Sequence, residues 1–515
     1  MDWTSGYRAD IDYTYGYYDE LSAGTMDFAL LMSGYEPPAR KGMRYLELGY
    51  GQGVTVNIAA ASNDVEYWGA DFNPAHAAHA QSLARVSGAK ANFVDDSFAE
   101  LLARDDLPAF DVIALHGVWS WVSDENRRAI VEIIRRRLKV GGACYISYNT
   151  LPGWAMGMPL RHMMTLHAET VGSDVQGVVG RIDAAISFGT RLAEAGGGYF
   201  AANPAAKTRL TAIAGQNRNY VAHEYFNRDW TPMYFSDVSQ WLSDAKLGYA
   251  APANVLDQID AFNLTTQQIE LMGALPAGDL RETVRDYLIN QQFRRDLFTR
   301  GAGRLSLLER LERLNEVSVA LTSRPEDTTL EINTVLGKIG LREDIYAPLI
   351  AAMADDKGSP KTIGQLARRS KLANIEPGVL IEGVAVLIGG GRAHIAKSEA
   401  EIALTAPRTR RLNAHLIARA RSSDDITHLA SPVIGGGVAV SRFDQMFLGA
   451  RAANARTPDD WAREAWTVLA RQGQSIIKNG QVLSTPEANM DELKIQAAGF
   501  AQDRLPLLQR LRVAD

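Results

Sequence analysis

A single cysteine, Cys144, stands in 515 residues, so no internal disulfide can form and a reducing compartment, the cytoplasm, is expected. No window approaches the ~18 unbroken apolar residues of a membrane span. The opening residues, MDWTSGYRADIDYTYGYYDEL, lack the basic and apolar stretches of a secretory signal. A basic excess is missing too: 54 Lys and Arg against 60 Asp and Glu leave a net charge of -6, with no general pull toward nucleic acid or anionic lipid. Repeats and low-complexity tracts are absent. His76 and His79 share a helix face in PAHAAH, but no cysteine or carboxylate cluster completes a zinc-like ligand set, so no metal is expected. What the chain does have is apolar material, 46% of its residues, enough for several cores in about two to four domains.

From about 43 to 148, MRYLEL (43–48), VEYWGADF (65–72), ANFVDDSF (91–98), DVIALHG (111–117) and ACYISYN (143–149) read as strands, the last after a turn KVGG. VTVNIAAAS (54–62), PAHAAHAQSLARV (74–86) and DENRRAIVEIIRRRL (124–138) read as helices between them. The alternation predicts an α/β fold, a Rossmann-like parallel sheet with helices on both faces.

Ligands of such sheets bind at the carboxyl ends of the strands, and LELGYGQG (46–53) stands at the first of them. A dinucleotide fingerprint would place its third glycine at 54, where the residue is Val54; the spacing is Gly49-x-Gly51-x-Gly53, preceded by Glu47. A carboxylate beside a pyrophosphate is repelled, whereas one facing an amine is held by charge-assisted hydrogen bonds. The expected ligand is therefore a nucleoside with a positive amino group and no phosphate, a description S-adenosylmethionine fits. Asp71, 24 positions after Glu47, ends strand two, where a carboxylate accepts from ribose hydroxyls. Asp95 or Asp96 ends strand three within reach of an adenine amine, with Phe98 near the ring, and Tyr50, Phe72 and Ser97 flank these positions. Each has a plainer alternative, a glycine turn that is only a turn or an Asp that is only a helix cap.

The order E-L-G-x-G-x-G, an acid after strand two and Asp after strand three resembles the class I S-adenosylmethionine-dependent methyltransferases. Further segments narrow the resemblance: YTYGYYDEL (13–21), FALLMSGYEPP (28–38), FDVIALHGVWSWV (110–122), YISYNTLPGW (145–154), HEYFNRDWTPMYFSDVSQWLSDAKLGY (223–249) and NQQFRRDLFTRG (290–301). Together they resemble the rickettsial-type bacterial protein-lysine methyltransferases with a methyltransferase regulatory domain, well over about the first 300 residues and loosely beyond. The resemblance implies a protein lysine as methyl acceptor. Such a lysine, with an ordinary pKa near ~10.4, must lose its proton and its water, which burial favours. Aromatic walls tolerate the ammonium on arrival.

Candidate walls are Tyr13, Tyr15, Tyr17, Tyr18, Trp119, Trp121, Tyr148 and Trp154. Tyr18, His116, Trp119 and Asn149 are the expected catalytic residues. His116 would accept a proton or bind the cofactor's methionine end; the plainer reading is a buried histidine satisfied by backbone. Asn149 would hydrogen-bond at the strand-five mouth or simply cap it.

Residues 155 to about 220 read as a helical insertion over the mouth, and RETVRDYLINQQFRRDLFTRG (281–301) as a basic helix. The expected organisation is a methyltransferase domain over 1–304, a winged-helix-like module over 305–400 and a helical domain over 401–515. In that module the second helix, VLIEGVAVLIGG (379–390), carries Glu382 and no Lys or Arg, so a packing or protein-contact role is expected rather than DNA binding. GGGR (389–392) and IGGGV (434–438) read as turns, not phosphate cradles. Three functions stay open: methylation of a lysine-bearing protein, methylation of a small-molecule N or O acceptor under a lid, and non-catalytic S-adenosylmethionine binding by a scaffold. No nucleic-acid or membrane partner is expected, and a homodimer is compatible with the sequence.

Overall fold

The structure is a computed structural model and describes residues 14–172 and 177–515. The five strands and three helices read in the alternating segment are present as β1 (Arg44–Leu48), α2 (Val54–Ser62), β2 (Glu66–Ala70), α3 (Pro74–Ser87), β3 (Ala91–Val94), β4 (Phe110–Leu115), α5 (Asp124–Arg137) and β5 (Leu138–Asn149), with α1 (Ala23–Met32) ahead of them. The run 91–98, however, leaves the sheet after Val94, and its Phe98 opens a helix that was not read, α4 (Phe98–Ala103). β6 (Gly248–Pro252) and β7 (Phe293–Thr299) complete one seven-stranded sheet in the order β3-β2-β1-β4-β5-β7-β6. β1 to β5 pair in parallel, and β7 is antiparallel to both its neighbours.

Side chains alternate across β1. Tyr45 joins an apolar layer with Tyr67, Phe93, Val112 and Tyr145 on one face; Leu46 and Leu48 join Ile113, Leu115 and Ile146 on the other. α2 is buried along its whole length, which explains why it carries no charge.

Two expected boundaries change. The run read as one basic helix over 281–301 is a helix Asp279–Ile289, ended by Asn290 at φ +50°, followed by β7. Its basic character misled because Arg294 is buried, donating to Asp286 at 2.7 Å, Asp296 at 2.7 Å and Glu282 at 2.9 Å. KVGG is not a turn before β5 but lies within it, at a register shift opposite Phe110 and Val112.

The helices of the insertion run from Met158 to Tyr225 and hold a core of their own, with Leu160, Met164, Ile186 and Leu210 at its centre. Beyond β7, Ser318–Leu321, Lys361–Thr362 and Ala393–Ile395 form a three-stranded antiparallel sheet with the helices Glu343–Gly358, Ile363–Ala367 and Pro377–Gly389. Its apolar side chains run on into the layer under α1 and the large sheet. The last segment is mostly helical but also contains two hairpins, His428–Ser431 with Gly436–Ala439 and Ile477–Lys478 with Gln481–Val482. Its helix Glu399–Arg419 packs on α2 and α3, burying Ile402, Leu412 and Leu416 with Val54, Ile58 and Leu83. Among the described residues no helix is long and apolar enough to cross a membrane.

Candidate active site

The loop after β1 turns sharply enough to need its glycines. Gly49, Gly51 and Gly53 have φ of +73°, +57° and +71°, a region L side chains rarely adopt. A Cβ would also lie 2.5 Å from Val118 at Gly49 and 2.6 Å from Ala80 at Gly53. Asp71, one residue past β2, fixes this loop: its Oδ2 accepts the Gly51 N–H at 2.8 Å, while Oδ1 accepts from Asn73 at 3.1 Å and meets His76 Nδ1 at 3.1 Å. His79 donates to the Gln52 carbonyl at 2.7 Å. Both histidines therefore serve the loop, and among the described residues no group of three or more His, Cys, Asp or Glu could hold a metal.

Glu47 faces the same cleft from the end of β1. It is 5% exposed, and among the described residues no hydrogen-bond donor or cation acts on its carboxyl group. Burial, then the charge of Asp71, pushes its pKa up to about 8. A carboxyl group buried with no cation beside it among the described residues, over a glycine loop open to close approach, is an acceptor that a cationic amino group completes by donating to it. The residues thus fit S-adenosylmethionine, and among the described residues no salt link diverts Glu47.

The expected adenine side is split. Asp96 lines the cleft and pairs with Arg104 at 2.9 Å, whereas Asp95 lies outside the lining. Ser97 and Phe98 line it as α4 begins, Ser97 capping that helix through Glu100. Tyr50 and Phe72 line it too, Tyr50 tied by its hydroxyl to the Val94 carbonyl at 3.0 Å.

Across the cleft, Thr14, Gly16 and Tyr18 form a cover. The Tyr18 ring lies 4.0 Å from that of His116, whose Nδ1 is 2.8 Å from the Tyr145 hydroxyl. His116 is thus satisfied by a side chain rather than by backbone. Burial, helped by Arg295 and opposed by Glu20, takes its pKa down to about 4, so the ring is neutral at physiological pH.

Trp119 requires a correction. It was expected in the acceptor wall, but the 3-10 turn Trp119–Trp121 sends it into the core, fully buried edge-on to Trp241 at 5.9 Å and outside the cleft lining. The same turn brings Trp121 into the cleft. Asn149 is also buried beside the cleft rather than in its lining: its N–H is held by Ser120 Oγ at 2.9 Å, and its Nδ2 has no hydrogen-bond partner among the described residues. Tyr148 donates to Asp296 in the core, and Trp154 packs on Trp230 inside the insertion. Tyr13 lies outside the described residues.

Asn126, Thr55, Gln52 and Asp229 also line the cleft without having been anticipated. Asp229 arrives from the end of the insertion, held by the Thr231 N–H to the Ser120 carbonyl at 2.8 Å, and nothing local in its sequence marks it.

Residues 46–144 match the family described as a methyltransferase domain, and residues 217–300 that described as a predicted methyltransferase regulatory domain. The chain is 37% identical over 517 aligned residues, 100% of both chains, to the uncharacterized protein sll1526 of Synechocystis. It is 26% identical over 273 residues to the uncharacterized protein RP789 of Rickettsia prowazekii, spanning 51% of this chain and 47% of that one. Its fold is similar to that of PKMT2 from Rickettsia typhi, solved in complex with AdoHcy, with TM-score 0.70 and 19% identity over 97% of this chain and 99% of that one. The chain belongs to one family with the Synechocystis protein, and it is a class I methyltransferase whose cofactor is S-adenosylmethionine.

Proposed function

We propose that this enzyme methylates the side-chain amine of lysine in a protein substrate, in the cytoplasm. The observation that carries the reading is the chemistry of the cleft: Asp229, paired with Arg228 at 3.2 Å, lines it together with the rings of Trp121 and Tyr18, a combination that receives a cationic amine. The likeness in fold to PKMT2 over nearly the whole of both chains supports it.

When bound, S-adenosylmethionine supplies a methyl group on a sulfonium, open to in-line attack by a neutral amine. In this reading Glu47, Gly49, Gly51, Gly53 and Asp71 hold the amino-acid and ribose parts, and Asp96, Ser97 and Phe72 the base. Tyr18 and Trp121 exclude water from the acceptor, which favours its neutral form. His116, with its pKa near 4, is too weak a base to take the proton of an alkylammonium, so it orients Tyr18 and the proton leaves to solvent. Rate then comes from placing the nucleophile in line. Residues 1–304 act as the catalytic unit, the winged-helix-like module over 305–400 and the helical segment over 401–515 as its support.

Incubation with methyl-labelled S-adenosylmethionine and fractionated cell extract tests this directly. Label in protein, recovered as methyl-lysine after acid hydrolysis, is the expected result. Label confined to small molecules would replace the reading with the metabolite one, and cofactor binding without any transfer would leave a scaffold.

A further inference from the structure

The cover of the cleft is fastened from behind. Thr14, Gly16 and Tyr18 line the cleft, while Tyr15 and Tyr17 between them, and Asp19 at the start of the 3-10 turn Asp19–Leu21, make their contacts outside its lining. On the inner side Tyr18 N–H donates to Thr55 Oγ at 3.1 Å, and Thr55 donates in turn to the Gly16 carbonyl at 3.3 Å. On the outer side Tyr15 meets His79 edge-on at 5.3 Å beneath the Arg419 guanidinium at 4.7 Å. The Tyr17 ring stacks on His428 at 4.6 Å, its hydroxyl accepts the Gly437 N–H at 2.6 Å and donates to Asp19 at 3.2 Å. Asp19 Oδ1 also accepts from His394 Nε2 at 2.9 Å.

IGGGV explains itself here. Only Gly435, at φ +65°, is demanded by the turn. Gly436 and Gly437 have no such backbone need, yet a Cβ on either would lie 2.7 or 2.8 Å from the Tyr17 side chain. The missing side chains make the seat for that ring. We propose that the hairpin His428–Ala439, with His394, is a latch that holds the strap 14–19 over the bound cofactor. Tyr17 and Gly437 are then positioning residues for a site they do not touch, and the C-terminal half sets how long the cofactor stays. The proposal depends on the cofactor site and not on the identity of the acceptor.

Stopped-flow dissociation of S-adenosylhomocysteine from the full chain tests it. Gly437→Ala drives a methyl into the Tyr17 ring and should raise the dissociation rate about tenfold, the worth of one or two hydrogen bonds, with little change in association rate or thermal midpoint. Tyr17→Ala should do the same, and Tyr17→Phe, which keeps the ring but not the hydroxyl, should fall between. The double variant Tyr17→Ala, Gly437→Ala should be no faster than Tyr17→Ala alone, because the added methyl then has no ring to strike. Dissociation unchanged in Tyr17→Ala would overturn the latch even if Gly437→Ala failed to fold, and so would additive effects in the double variant.

Discussion

At Asp71 one carboxylate braces the glycine loop through Gly51 and still faces the cleft. Asp71→Ala should therefore weaken cofactor binding by about 1.5–3 kcal/mol, one charge-assisted hydrogen bond or more, and unchanged calorimetric affinity would remove Asp71 from the site. The two tryptophans of the β4 loop should separate cleanly. Trp119→Ala opens a core cavity and should cost about 3–5 kcal/mol of stability by denaturant unfolding. Trp121→Ala should leave stability nearly unchanged and slow turnover. The glycines and Glu47 were legible in the sequence because their constraint is local: a turn, a close approach and a charge within eight residues. Which of Trp119 and Trp121 reaches the cleft was not, since a single 3-10 turn decides their directions. Asp229 was invisible for a different reason, being delivered by tertiary packing alone.

At the scale of elements, apolar runs identified β1 to β5 because strands buried on both faces need little else. β7 escaped because its buried positions include Arg294 and Asp296, charges that satisfy each other inside the sheet. Burial, opposed mainly by Arg294, lifts the neighbouring Asp286 to about 7. Arg294→Ala would leave these carboxyl groups buried without their cation and should cost about 3–5 kcal/mol at pH 7.5. The loss should shrink toward pH 5: carboxyl groups with raised folded-state pKa values stabilise the fold below their unfolded pKa and lose that as pH rises. Urea unfolding at the two pH values measures the difference.

Across the whole molecule, the notion of three units read from the sequence meets cores that cross its boundaries. Val54, Ile58 and Leu83, from the helices that carry the cofactor loop, share a core with Ile402, Leu412 and Leu416. Arg411 donates to the Ser87 carbonyl at 2.6 Å, and Arg408 to that of Asn63 at 3.1 Å, tying the same surfaces. A chain ending at Arg304 should therefore lack a cooperative thermal transition, whereas the full chain should melt with its C-terminal half and sheet together; a cooperative melt of the shorter chain would contradict this. Sequence patterns gave no sign of that sharing, since an apolar helix face looks the same whichever neighbour covers it.

In the proposed site, Glu47 receives the cofactor's cationic amino group. Free Glu47, with its pKa near 8, is protonated at pH 7, and an ammonium group arriving beside it favours the carboxylate. Cofactor binding should then release close to one proton, and affinity should rise with pH below 8. Calorimetric titration of S-adenosylhomocysteine at pH 7, in two buffers of different ionisation enthalpy, counts that proton. The wild type should release nearly one proton and Glu47→Gln none, and the variant should bind at least about tenfold more weakly. Equal proton counts and equal affinities in the two proteins would contradict it.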